Sequence, residues 1–350
     1  MRRTSLAAAG TVCVALAGVL PGLPATAAPV DQVTVYVNPA ADTGAGAPER
    51  RTGRTLDTAV ASIEEAQDVL RGRNVRNATV LLPAGTYRPA STIQVTWSPP
   101  GGRITLGTVG AAAVTIDCGT FEDSSANTEY GMTVTADNVT VSNYVFQNCR
   151  NGGIRAAGTS ANRLDGLTVT GNTFRRLGGK YQSGPGNGYG AVHATYTTGL
   201  NVEDNLFQNL ENTESPAAMH GVYVANYASD TVIYNNRFEL ISGDPVRTRN
   251  RADNTTVDLN KFWRTGAYAI FSDWRFDSEG CSTNGLFDRN QVGTTSYNND
   301  RWNEDAQGSI NPVRVRLWGH DAATNANLYG CSSDPVSFGG NNVYVTSKPW

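Results

Sequence analysis

Five short segments of the chain share one form: Gly153-Ile154-Arg155-Ala156, Ala191-Val192-His193-Ala194, Gly221-Val222-Tyr223-Val224, Pro245-Val246-Arg247-Thr248 and Ala269-Ile270-Phe271-Ser272. In each, an aliphatic residue is followed by one of changing chemistry, which gives the column Arg155, His193, Tyr223, Arg247, Phe271. If the segments are strands, the two-residue pleat buries the aliphatic side chain and turns the next one outward. Two positions further on come Ala157, Thr195, Ala225, Arg249 and Asp273, so Arg247 and Arg249 stand side by side. Arginine bonds a carboxylate or sulfate bidentately and does not lose its charge. A ring beside it stacks on a sugar face. Elimination from a uronic-acid polymer requires a neutralised carboxylate, a base for the C5 proton and an acid for the leaving oxygen. The assignment that follows gives the carboxylate to Arg247 and Arg249, the base to His193, and either role to Tyr223. His220 is a second base or an orienting group.

Arg155, Phe271 and Asp273 extend this face as substrate contacts. Asn311-Pro-Val-Arg-Val-Arg316 repeats the form of Asp244-Pro-Val-Arg-Thr-Arg249 and adds Arg314 and Arg316. The Gly-rich stretch 175–189 brings Lys180 to the same side as a further base or contact. Neighbouring strands lie about 4.8 Å apart, so Arg155 and Arg247 would be separated by roughly 14 Å, a few sugar units. The expected ligand is therefore an extended acidic polysaccharide.

Two rival readings use other residues or another outcome. A glycoside hydrolase needs two carboxylates at a set separation. Glu203, Asp258 and Asp288 each stand two residues before a repeat asparagine, and Asp244 and Asp273 are further candidates on the face of the first column. A non-catalytic carbohydrate-binding protein would use the same groove without turnover.

What would position these columns is a repeat. Asn-x-Phe recurs at Asn172, Asn205, Asn236 and Asn260, with a weaker copy at Asn290-Gln-Val292 and a shifted one at Asn143-Tyr-Val-Phe146. The intervals of 33, 31, 24 and 30 residues suit one coil of a solenoid. A propeller blade would need four antiparallel strands and about 40 residues or more. One amphipathic helix is expected over 58–71, with Val60, Ile63, Ala66, Val69 and Leu70 on one face. After it the chain is short strands rich in Val, Ile, Thr and Phe, punctuated by Asn and Gly without hairpin signals.

The opening VTVYVNPAADTG, the helix SIEEAQDVL, then ATVLLPAGTYRP and STIQVTW resemble the start of pectate-lyase-like parallel β-helix enzymes. The resemblance covers most of the mature chain. It implies an all-β fold, a right-handed parallel β-helix whose N-terminal end is capped by that helix. It is weak for reaction, since such solenoids serve lyases, glycosidases, epimerases and adhesins. The paired aspartates that hold calcium in pectate lyases are not found, nor the Lys-to-Arg motif of the alginate and chondroitin type. No cofactor is assigned, and calcium stays open.

Residues 1–28 have the form of a secretory signal peptide: Arg2 and Arg3, an apolar stretch from Leu6 to Leu20, and Ala25-Thr26-Ala27 before cleavage at Ala27 or Ala28. The arginine pair leaves twin-arginine export open beside the ordinary route. Residues 29–350 then form one domain, expected to be a secreted monomer. The chain holds 28 Lys and Arg against 31 Asp and Glu; without Arg2 and Arg3 that is 26 against 31, about −5. This balance argues against nucleic acid as partner, and nothing after the signal calls for a membrane. Of five cysteines, Cys13 leaves with the signal, and Cys118 with Cys149 and Cys281 with Cys331 are the favoured pairs among three connectivities.

Overall fold

A computed structural model describes residues 30–39, 51–120, 127–178, 189–212, 215–266, 269–275, 279–295, 297, 313–317 and 336–350, with 313–317 described as backbone alone. The strands form three long parallel sheets of ten, eight and nine strands, in which sequence neighbours along each sheet are one coil apart, together with one two-stranded pair. This is a parallel β-helix, coiled in the right-handed sense that parallel crossovers take.

The Asn-x-Phe repeat has two separate physical functions. Its phenylalanines stack inside the solenoid: Phe146, Phe174, Phe207, Phe238 and Phe262 are fully buried, with successive centroids 5.3, 5.0, 4.6 and 4.8 Å apart. Its asparagines form a second ladder at the corner. The Asn172 amide N–H donates to Asn205 Oδ1, Asn205 to Asn236, Asn236 to Asn260 and Asn260 to Asn290, at 2.8–2.9 Å. Each side-chain amide also donates to a backbone carbonyl, as Asn172 Nδ2 does to Val141 O at 2.9 Å. Buried polar groups at every corner are thus satisfied by the same residue type, coil after coil. In the shifted copy Phe146 keeps its place in the stack, while Tyr144 takes the asparagine position and its N–H donates to Asn172 Oδ1.

The helix is shorter than the expected 58–71. It spans Ile63–Arg71, with Ser62 Oγ accepting from Glu65 N at its start, and Leu56–Thr58 is a separate 3-10 turn. Its side chains reach Ile93–Val95, the end strand of the eight-stranded sheet. Gln67 Nε2 donates to Gln94 O, Gln67 Oε1 accepts from Thr96 N and Trp97 N, and Glu64 Oε1 accepts from Gln94 N. Backbone groups of an open edge are thereby given partners. Cys118 and Cys149 form a disulfide, as favoured from the sequence. Cys331 lies outside the described residues, as do residues 1–28. No helix among the described residues is long and apolar enough to cross a membrane.

Candidate functional site

The eight-stranded sheet carries the expected column. Ile154 pairs with Val192, Val192 with Val222 and Val222 with Val246, all fully buried, and the next residue in each strand falls into one register: Arg155, His193, Tyr223, Arg247. The column then departs from expectation. Val246 pairs with Phe271 and Arg247 with Ser272, so Phe271 occupies the interior column and is fully buried. Ile270 and Phe271 are both apolar, and the two-residue period cannot choose between them. The same slip moves Asp273 inward, where it pairs with Thr248, is 1 % exposed and accepts from Thr248 Oγ1 at 2.8 Å. Neither Phe271 nor Asp273 can contact a substrate from there. Burial raises the Asp273 carboxyl to about 7. Ser272 and Trp274 take the outward positions, and the backbone register sets Arg314 beside Ser272 and Arg316 beside Trp274. Lys180 lies outside the described residues.

A cleft of about 500 Å³ opens over the first half of this column, lined among others by Glu129, Tyr130, Arg155, Tyr189, His193, Tyr223 and Arg249. His193 lies beside two rings, Tyr189 at 5.0 Å and Tyr223 at 5.1 Å, nearly parallel to both, and those two rings are 6.4 Å from one another, so the three form a cluster. Its Nδ1 lies 2.8 Å from Tyr130 Oη. Burial, and then the Arg155 charge, lower the imidazole from its ordinary value to about 3, so His193 is neutral at neutral pH. Burial pushes the Tyr130 phenol well above its ordinary value, so it keeps its proton. Arg155 is exposed, has its guanidinium 5.9 Å from the Tyr130 ring, and has no acidic partner among the described residues. A side chain at Gly152 would meet Gly190 O at 1.9 Å and the Tyr130 ring at 3.1 Å, so the close approach of the Gly190 backbone requires glycine there.

The second half of the column is built differently. Asp244 is fully buried and accepts from Arg247 Nη2 at 2.7 Å, Ser272 Oγ at 2.7 Å and Ala269 N at 2.9 Å. Burial pushes its carboxyl up, but Arg247, His220 and Ser272 outweigh this and hold it below its ordinary value. Arg247 also lies 4.0 Å over the Trp274 ring and is buried away from the cleft. His220 is buried, with Nδ1 2.8 Å from Asp244 O; a carbonyl only accepts, so Nδ1 carries the proton. Burial, and then Arg247, lower His220 to about 3. Arg249 borders the cleft, but its guanidinium is held by Glu279 and donates to Tyr223 Oη at 3.4 Å.

The carboxylates of the rival reading stand on the ten-stranded sheet. Their register is as expected, Glu203 with Tyr234, Tyr234 with Asp258 and Asp258 with Asp288. Each is engaged locally: Glu203 with Asn201, Asp258 in an ion pair with Arg289, Asp288 with Asn341.

Tyr130 and Tyr189 were not among the residues singled out by sequence. Tyr130-Gly-Met-Thr-Val134 has the same form as Gly152-Gly-Ile-Arg-Ala156, one coil earlier, and Met132 pairs with Ile154, so the repeat contained the signal for Tyr130. Tyr189 ends the Gly-rich stretch and lies outside the aligned segments. Among the described residues no group of three or more His, Cys, Asp or Glu side chains could hold a metal ion, so calcium has no assigned site.

No protein-family model matches the chain, and no curated protein matches it in sequence. Three solved structures are similar in fold. Escherichia coli YbhC is 11 % identical over 94 % of this chain and 88 % of that one, with a TM-score of 0.45. Pectate lyase II from Xanthomonas campestris pv. campestris is 15 % identical over 83 % and 81 %, with a TM-score of 0.36. A rice weevil pectin methyl esterase is 11 % identical over 87 % and 92 %, with a TM-score of 0.32.

Proposed function

We propose that the chain is a secreted enzyme that cleaves an extended acidic polysaccharide by β-elimination, with Tyr130 and His193 as the proton-transfer pair and Arg155 as the carboxylate clamp. The observation that carries this reading is the 2.8 Å contact between Tyr130 Oη and His193 Nδ1 inside an open cleft that also presents Arg155. Both ring groups rest in their neutral forms. A uronate carboxylate bound at Arg155 offsets the charge that helps depress the imidazole, and its own negative charge raises the imidazole's proton affinity. Binding thus shifts His193 toward the range in which a base is effective.

In the tautomer that donates Nδ1–H to Tyr130 Oη, Nε2 is bare and takes the C5 proton. The C5–H electron pair forms the C4–C5 double bond, the C4–O bond breaks, and the leaving oxygen takes the Tyr130 hydroxyl proton. The Nδ1 proton then passes to the Tyr130 oxygen, which leaves both groups neutral. Arg155 is strongest against the charge that develops on the carboxylate as C5 loses its proton, and such an interaction accelerates the reaction rather than only binding the substrate. Tyr189 and Tyr223 pack beside the imidazole and fix its plane.

A hydrolase would need two carboxylates free to act across the bond. Among the described residues bordering the cleft the one carboxylate is Glu129, which accepts from Arg150 Nη2 at 2.9 Å. The reading is tested by incubating the full secreted protein with pectate, alginate, glucuronan, hyaluronan and neutral glycans. Ultraviolet-absorbing unsaturated product from a polyuronate, lost in Tyr130→Phe and His193→Ala, is the expected result. Reducing ends without that absorbance, or retention of the polymer without cleavage, would overturn it.

A further inference from the structure

One corner of the solenoid beside the cleft carries a feature that proton transfer does not use. Tyr196, Tyr227 and Arg251 occupy the same corner on three successive coils, and all three have left-handed backbones, with φ of 51°, 61° and 58°. Asparagine and glycine adopt that conformation more readily than bulky residues do, and Asn138 and Gly199 take it elsewhere in the solenoid. Arg176, Leu240, Leu259, Arg264 and Arg289 take it at other turns, so what sets this corner apart is the contact among its large side chains. The rings of Tyr196 and Tyr227 stack 5.9 Å apart at 9°, and the Arg251 guanidinium lies 5.4 Å from the Tyr227 ring. The corner is also pinned by the exposed Arg163, whose Nη2 donates to Thr197 O at 3.0 Å, to Ser229 Oγ at 3.1 Å and to Tyr227 O.

Tyr196 borders the cleft, Tyr227 is 43 % exposed and Arg251 is exposed. Because the rings face one another, they offer solvent their edges, which carry the positive end of the ring quadrupole. The guanidinium continues that sign at the far end. We infer that Tyr196, Tyr227 and Arg251 form an electropositive rail along which an acidic sugar chain leaves the reaction cleft, meeting one contact per coil at intervals of about 4.8 Å. The rail rests on the proposed function for its occupant, and it adds that affinity depends on substrate beyond the reacting sugar.

The test is calorimetric titration of the full-length protein with polygalacturonate and with alginate, at low and high salt, in Tyr227→Asn, Arg251→Asn and Arg155→Ala. Asparagine tolerates the left-handed backbone, so these corner variants keep their turn. Arg237→Asn, an exposed arginine on the nine-stranded sheet, is the control. Arg251→Asn and Tyr227→Asn are each expected to weaken polyuronate binding about tenfold, Arg251→Asn with reduced salt dependence, while Arg237→Asn binds as wild type. Wild-type affinity in both corner variants, with binding lost in Arg155→Ala, overturns the rail and leaves the proposed reaction standing. Rail-dependent binding with no unsaturated product overturns the reaction and leaves the rail. A wild-type protein that binds neither polymer overturns both.

Discussion

The near and far halves of one side-chain column, Arg155–His193–Tyr223 and Arg247–Ser272, share a sheet, a register and a spacing, yet differ in what their charges face. In the near half a neutral imidazole and a neutral phenol meet beside an exposed guanidinium. In the far half a guanidinium of the same type is buried against a fully buried aspartate and an indole face. Position on the column therefore does not assign chemistry; the partner does. A buried arginine paired with a buried carboxylate holds the fold, and an arginine without one is available to a ligand anion.

The largest effect expected from breaking this comparison is at the near half. His193→Ala should lower kcat/KM on the polyuronate by about 10²–10⁴, the range for losing a general base, while circular dichroism stays that of the wild type. Retained turnover would remove the proton-transfer pair from the mechanism.

Exchanging the halves comes next. Arg155→Ala should abolish most activity and leave stability within about 0.5 kcal/mol, as for an exposed side chain with no ion pair among the described residues. Arg247→Ala should do the reverse in origin: it leaves the Asp244 carboxylate buried and unpaired, at a cost of about 3–5 kcal/mol, so activity falls through unfolding. Chemical denaturation of the two variants separates the cases. If Arg247→Ala is as stable as wild type and inactive, the guanidinium belongs to the catalytic machinery after all.

A smaller effect concerns pH. Asp273 has a folded value raised to about 7, so between about 4 and 7 the folded state binds more protons than the unfolded one, and its contribution is lost as pH rises through that window. His193 and His220 are lowered to about 3, so they act oppositely: the unfolded state binds more protons between about 3 and 6.5, and stability is lost as pH falls. Asp273→Asn should remove its opposing slope, at most about 1.4 kcal/mol per pH unit, and make the protein more stable at pH 7. Melting temperatures across pH 4–7 that run parallel in variant and wild type would contradict this assignment.

The solenoid was legible because its repeat is enforced twice, by a stacked phenylalanine and by an asparagine that must serve the coil before it. Arg155, His193 and Tyr223 followed from the same register. Phe271 and Asp273 were misplaced because two adjacent apolar residues, Ile270 and Phe271, make the pleat ambiguous by one position, and one position exchanges inside for outside. Arg247 fell correctly on its column, but its pairing with Asp244 three residues earlier is a property of burial, which the pattern does not carry. Tyr189 reaches the imidazole from the end of the Gly-rich stretch, one residue before the in-register strand, outside the aligned segments.

The smallest expected effect lies on the ten-stranded sheet and sharpens the comparison from outside. Asp258 and Asp288 have the one-coil register a pair of hydrolase carboxylates would need, so register alone would make them a second site. Their partners argue otherwise. Asp258 is held by Arg289 and Asp288 by Asn341, and Tyr234 stands between Asp258 and Glu203. Asp258→Asn and Asp288→Asn should therefore turn over polyuronate within about twofold of wild type, since neither side chain borders the cleft. Loss of reducing-end release in both, with Tyr130→Phe still active, would move the reaction to this sheet and make the Tyr130–His193 cleft a binding groove.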